Sequence, residues 1–125
     1  MPRIGAALNN GGILKMELTI NGKDYSFVFG FGFLRKMNEL RGISRDGVNI
    51  GMGLQVTAPA LKAFDVLALI DVLRAANATE KARVSVADLE KFLTTTDKLE
   101  QVFDQTWKAL EESNLTKLAV KKLAL

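Results

Sequence analysis

Two runs of alternating apolar residues, joined by Asn21-Gly22, constrain what this chain can fold into more than any other feature. Leu14, Met16, Leu18 and Ile20 alternate with Lys15, Glu17 and Thr19, and Tyr25, Phe27 and Phe29 keep the period beyond the turn. Asn-Gly suits a two-residue type I′ turn, because both central residues need positive φ. Such a turn sets Leu18 opposite Tyr25, Met16 opposite Phe27 and Leu14 opposite Phe29, with Glu17–Ser26 and Thr19–Asp24 on the other face. A slip of one residue would turn the whole apolar set to water, so period and turn specify the same register.

The rest of the chain reads as helical. Gly30 and Gly32 let the second strand bend away from the sheet. A short helix then places Phe33, Leu34, Met37 and Leu40 on one face and stops at Gly42. Residues 43–49 read as a polar connection. A helical region is expected from Ile50 to Asn77, made irregular or restarted at Pro59, because proline removes a donor and fits best in a first turn. Asp65 is placed to cap a helix over 66–76, nearly all apolar and therefore central to the core. After a polar loop, Ser85 caps a helix running to about Phe92. Another begins near Thr96-Asp97, with Leu99, Val102, Phe103, Thr106, Trp107 and Leu110 on its inner face. Thr116 is expected to cap a short last helix that docks through Leu118 and Leu123, frays, or forms fully when a partner arrives. The expected class is α+β, mainly α: an N-terminal β-hairpin packed on a bundle of four to five helices.

Composition narrows the chemistry. A chain of 125 residues, 48% apolar and 25% charged, is a single domain large enough for a real core. It has neither cysteine nor histidine. Disulfides and thiolate metal sites are therefore unavailable, as are the commonest general base and zinc ligand. The start lacks the apolar core of a signal peptide. The most apolar stretch, 56–76, is broken by Lys62, Asp65, Asp71 and Arg74. A membrane span needs about 20 apolar residues with few charges, so a cytoplasmic protein is expected. Net charge is +3, with basic residues leading the first half and acidic ones the span from Asp88 to Glu112.

Catalytic and nucleotide-binding motifs fail on spacing. Gly30-Phe31-Gly32 and Gly51-Met52-Gly53 have Arg35 and Val56 where G-x-G-x-x-G needs its third glycine. Asp65, Asp71 and Asp104 each have an ordinary helical role, and no pair is spaced for acid–base work. No enzyme, cofactor or metal is expected. The aromatic stripe Phe103, Trp107 and Leu110 reads first as the inner face of its helix and second as a partner-binding surface. The basic pairs Arg35-Lys36 and Lys121-Lys122 lack aromatic interleaving, so no nucleic-acid partner is expected.

The residues themselves carry a resemblance. Leu18-Thr19-Ile20-Asn21-Gly22-Lys23-Asp24-Tyr25-Ser26-Phe27, then Phe29-Gly30-Phe31-Gly32-Phe33-Leu34, resemble the opening of tail assembly chaperones from siphophages and prophages of Gram-positive bacteria. Gly51-Met52-Gly53-Leu54 and Asp65-Val66-Leu67-Ala68-Leu69-Ile70-Asp71-Val72 follow in order, ahead of Ala75-Ala76. Val86 to Leu93 stands where that family has a short acidic helix. Leu99-Glu100-Gln101-Val102-Phe103-Asp104 and Thr116-Lys117-Leu118-Ala119-Val120-Lys121-Lys122 complete the series. The order of these segments, from Met16 onward, carries the weight. Two features depart from the family pattern. Residues 1–15 look like an extension ahead of a 16–125 domain, with Met16 an alternative start, and Pro59 lies where an unbroken helix is expected.

The resemblance implies a non-catalytic protein of the host cytoplasm. It would bind the tape-measure protein, the long helical ruler around which tail-tube subunits polymerise, and leave before the tail matures. It also implies a longer product made by ribosomal frameshifting near the end of the short one, whose form this chain resembles. Further partners so implied are the major tail (tube) protein, the longer product and a homo-oligomer. The residues expected to meet a partner are Phe103, Trp107, Leu110, Lys121 and Lys122. The rival reading is a small head–tail or tail completion protein that stays in the virion.

Overall fold

The Asn21-Gly22 hairpin forms with the register its alternation dictates. In the computed structural model, which describes residues 4–8 and 12–121, β2 (Leu14–Ile20) and β3 (Lys23–Val28) pair antiparallel. Met16 lies opposite Phe27, Leu18 opposite Tyr25 and Glu17 opposite Ser26. The Phe29 amide donates to the Leu14 carbonyl at 3.3 Å, which closes the third apolar pair. Asn21 and Gly22 have φ of 54° and 77°, as a type I′ turn requires. Leu14, Met16, Leu18, Ile20, Tyr25, Phe27 and Phe29 are all buried on the face that the helices cover.

The sheet has a third strand. β1 (Ile4–Leu8) pairs antiparallel with the other edge of β2, Ile4 opposite Leu18, giving the order β1-β2-β3. Residues 4–8 of the segment read as an extension are therefore joined to the hairpin by backbone hydrogen bonds.

Helix α1 (Phe31–Arg41) buries Phe33 and Met37 and ends at Gly42, whose amide donates to the Asn38 carbonyl at 3.0 Å. The next segment is not the expected connection. β4 (Ile43–Arg45) and β5 (Val48–Gly51) make a second hairpin, turned by Asp46 and Gly47 at φ 53° and 77°. This corrects the helix expected from Ile50: α2 starts three residues later and spans Gly53–Lys62. A Cβ at Gly53 would collide with the backbone carbonyl oxygen of Met37, so only glycine allows α2 to lie this close to α1. Nor does Pro59 restart the helix. It sits inside α2, exposed, where the bond it forgoes belongs to a solvent-facing stretch.

The break between helices comes at Ala63–Asp65. Asp65 Oδ1 accepts from the Leu67 amide at 2.9 Å and caps α3 (Val66–Asn77) as expected. Asp71 takes Arg41 Nε at 2.7 Å and Arg74 at 3.5 Å, tying α3 to the end of α1. Asn77, buried at the end of α3, spends its whole amide. Nδ2 donates to the Ser26 and Ala82 carbonyls, each at 3.0 Å, and Oδ1 accepts from the Val84 amide at 2.8 Å. One side chain thus joins strand β3, helix α3 and the loop beyond it.

Ser85 Oγ accepts from the Asp88 amide at 3.0 Å and caps α4 (Val86–Thr95). Helix α5 (Leu99–Glu112) lies across β1 and β2, with Val102, Phe103, Thr106, Trp107, Ala109 and Leu110 buried. Two expectations fail at the C-terminal end. The Thr116 hydroxyl does not cap α6 (Lys117–Lys121) but donates backwards, to the carbonyls of Leu110 at 2.6 Å and Ser113 at 3.3 Å. It thereby satisfies the Leu110 carbonyl, left open where α5 ends. Helix α6 docks through Val120, fully buried, while Leu118 points outward and is 71% exposed. Leu123 lies outside the described residues.

Candidate partner-binding groove

The turn between α2 and α3 opens onto an exposed aromatic surface. At the end of α2 the Asp65 amide donates to the Ala60 carbonyl at 3.0 Å, and the Phe64 amide to the Leu61 carbonyl at 3.1 Å. This is the Schellman pattern, whose closing residue is left-handed and usually glycine. Here that residue is Phe64, at φ 63°. A bulky side chain in this conformation costs about 1 kcal/mol relative to glycine. The residue is nonetheless 54% exposed.

Phe64 leans on α5. Its ring meets Phe103 edge-on, centroids 5.2 Å apart and planes at 72°. One turn further along α5, Trp107 lies under Lys62, whose Nζ is 4.6 Å from the indole centroid. That is within the range of a cation–π contact. The Phe64–Phe103 contact stands between two hollows. One, about 280 Å³, is lined by Leu61, Lys62, Phe64, Phe103, Asp104 and Trp107. The other, about 330 Å³, is lined by Phe64, Val66, Leu99, Glu100 and Phe103. Together they form an apolar groove between the α2–α3 turn and α5. The Trp107 Nε1–H is enclosed and has no acceptor among the described residues.

The carboxylates weighed earlier now have places. Asp65 caps α3 and Asp71 sits between two arginines, whereas Asp104 is exposed on the groove wall. Glu100, one turn before it, is exposed too. Among the described residues no basic side chain comes within 4.0 Å of either carboxylate. Among them, also, no cluster of acids is arranged to hold a metal, and no helix is long and apolar enough to cross a membrane.

Of the residues expected to meet a partner, the structure brings Phe103 and Trp107 together on the groove wall. Both are largely enclosed, at 4% and 8% exposure, so each serves core and surface at once. Leu110, the next turn along, is wholly within the core. Lys121 is exposed on α6, and Lys122 lies outside the described residues. Sequence reasoning missed Phe64 and Lys62. The signal was there: a cap at Asp65 places the residue before it outside any helix, which makes an aromatic in that turn conspicuous.

A second apolar surface surrounds the β4–β5 hairpin, where Ile43, Val48, Ile50, Met52 and Val56 are all exposed. Met52 is left-handed as well, at φ 67°.

These are features of a small binding domain, an α+β scaffold that leaves aromatic and aliphatic side chains open beside charged ones. The chain belongs to the phage tail assembly chaperone family, whose model, described as a phage tail assembly chaperone protein, matches residues 17–124. No curated protein and no solved structure gives a significant match. Membership implies interaction with tail proteins and a role that is not enzymatic.

Proposed function

We propose that this protein binds the tape-measure protein of its phage in the host cytoplasm, keeps it soluble and competent for tail-tube polymerisation, and is absent from the finished virion. The match to the tail assembly chaperones over residues 17–124 carries the reading. A long helical client demands what the surface offers, apolar side chains held open on a rigid frame, with modest affinity so that release is rapid. A longer frameshifted form, the tube protein and further copies of the chain are the other partners in this proposal.

Co-expression tests it directly. The tape-measure protein should be insoluble alone and should co-purify in soluble form with this chain. Mass spectrometry of purified virions should then find the client and not the chaperone. A client indifferent to the chain's presence, or a chain retained in the virion, sinks the reading; the second result points to a tail completion protein.

A further inference from the structure

We infer that the client docks in the Phe64–Phe103–Trp107 groove as an amphipathic helix whose apolar anchors are flanked by lysine or arginine, an inference that rests on the chaperone reading above. The argument begins with Phe64. The turn between α2 and α3 is closed by backbone hydrogen bonds that glycine would make with less strain. The fold therefore does not require an aromatic there, and the residue stays more than half exposed. Strain held at an exposed aromatic marks a residue kept for contact.

The spacing of the groove defines the occupant's form. One hollow is walled on α5 by Leu99, Glu100 and Phe103, the other by Phe103, Asp104 and Trp107. They are thus offset by one helical turn, about 6 Å along the α5 axis. A helix laid along α5 presents side chains i and i+4 at that separation, one for each hollow. Phe64, standing between the hollows, packs between the two anchors.

Charge defines the occupant's chemistry. Each hollow has one exposed carboxylate on its α5 wall, Glu100 or Asp104. The face of Trp107 already holds a cation, the ammonium of Lys62 on a flexible exposed stem. A client lysine or arginine takes that place over the indole and faces the carboxylates as Lys62 swings out to water. An acidic client would meet two like charges at the same positions.

Trp107 is the chain's only tryptophan, so its emission reports the groove directly. The experiment titrates the full chain with synthetic peptides tiling the tape-measure protein, each roughly 20 residues and about 30 Å long as a helix. Peptides with apolar i, i+4 pairs and flanking bases should shift Trp107 emission. Their affinity should fall about tenfold or more, equivalent to one decade of dissociation constant, in E100K/D104K and in F64G. Circular dichroism should show both variants folded. Binding should also weaken as salt rises, because the flanking charges are exposed. Three results overturn the inference: wild-type affinity in both variants, preference for acidic or uncharged peptides, or an emission change that depends on the chain's own concentration, which would assign the groove to a second copy. Variants that still solubilise the full-length client would sink the site alone and leave the chaperone reading standing. A wild-type chain that fails to solubilise it sinks both.

Discussion

Asn49 reaches back from the second hairpin to Asn38, its Nδ2 donating to the Asn38 backbone carbonyl over 2.9 Å. The two side chains act as a pair of clasps. Asn38 Oδ1 accepts from the Gly53 amide at 2.9 Å, and Asn49 Oδ1 accepts from the Gly51 amide at 2.8 Å. The last turn of α1 is thereby joined to the β4–β5 hairpin and to the first residue of α2. Gly51-Met52-Gly53, whose spacing fails as a nucleotide-binding motif, is thus a joint in which the amides of both glycines have side-chain acceptors.

Replacing Asn49 with alanine removes two of these bonds at an exposed position. A net loss of about 1–2 kcal/mol is expected, confined to the hairpin. Hydrogen exchange should show the Gly51 amide losing protection while Leu18 and Phe27, in the main sheet, keep theirs. Equal loss in both places would mean that the hairpin does not open independently.

The first hairpin turn makes a cleaner test of conformation. A Cβ at Gly22 meets no other atom within 4 Å, so nothing steric opposes a side chain there. Its φ of 77° does. Gly22→Val should therefore cost roughly 1–2 kcal/mol through backbone strain alone, lowering Tm by roughly 3–8 °C. An unchanged Tm would show that the turn is not type I′ in solution.

Thr57 offers the opposite sign. Its hydroxyl is buried within α2 and has no hydrogen-bond partner among the described residues. Thr57→Val keeps the shape and removes a desolvated polar atom, for an expected gain of about 1 kcal/mol. Chemical denaturation should show a higher midpoint with the same slope. A lower midpoint would mean that the hydroxyl is satisfied after all, by a water in the interior.

The proposed longer product can be tested without changing a residue. Adjacent lysine codons at Lys121-Lys122 can form an A-rich slippery run near the end of the chain. Synonymous recoding of both should abolish a longer form in induced or infected cells. Persistence of that form at its original level would place the slip elsewhere.

How far the sequence disclosed the fold depended on whether local signals agreed. At Asn21-Gly22 the turn pair stood between long alternating runs that bury one face, and the register followed to the residue. Asp46-Gly47 is the same kind of signal, yet its flanking strands are three and four residues long. Their apolar members, Ile43, Val48 and Ile50, stay exposed, so no buried face enforced a period that could be read. Pro59 misled for a related reason, because tertiary packing of α2 holds a helix through a residue that local propensity would place at its start. The groove was half legible. Phe103 and Trp107 showed in the period of α5, but Phe64 and Lys62 reach them from a different helix end, and no periodicity links residues so far apart in sequence. Leu118 was misjudged because a helix as short as α6 has too few turns for its inner face to be told from its outer one.

The saturation of Asn77 bears on how the protein should be produced. Asn77-Ala78-Thr79 satisfies the acceptor pattern for N-linked glycosylation. A glycan would attach through Nδ2, the atom that here donates to both the Ser26 and Ala82 carbonyls within the interior. Carbohydrate and this fold cannot share that nitrogen. A eukaryotic secretory host that modifies the nascent chain would therefore lock it out of its own native state, whereas expression in a bacterial cytosol leaves the amide free to complete the core.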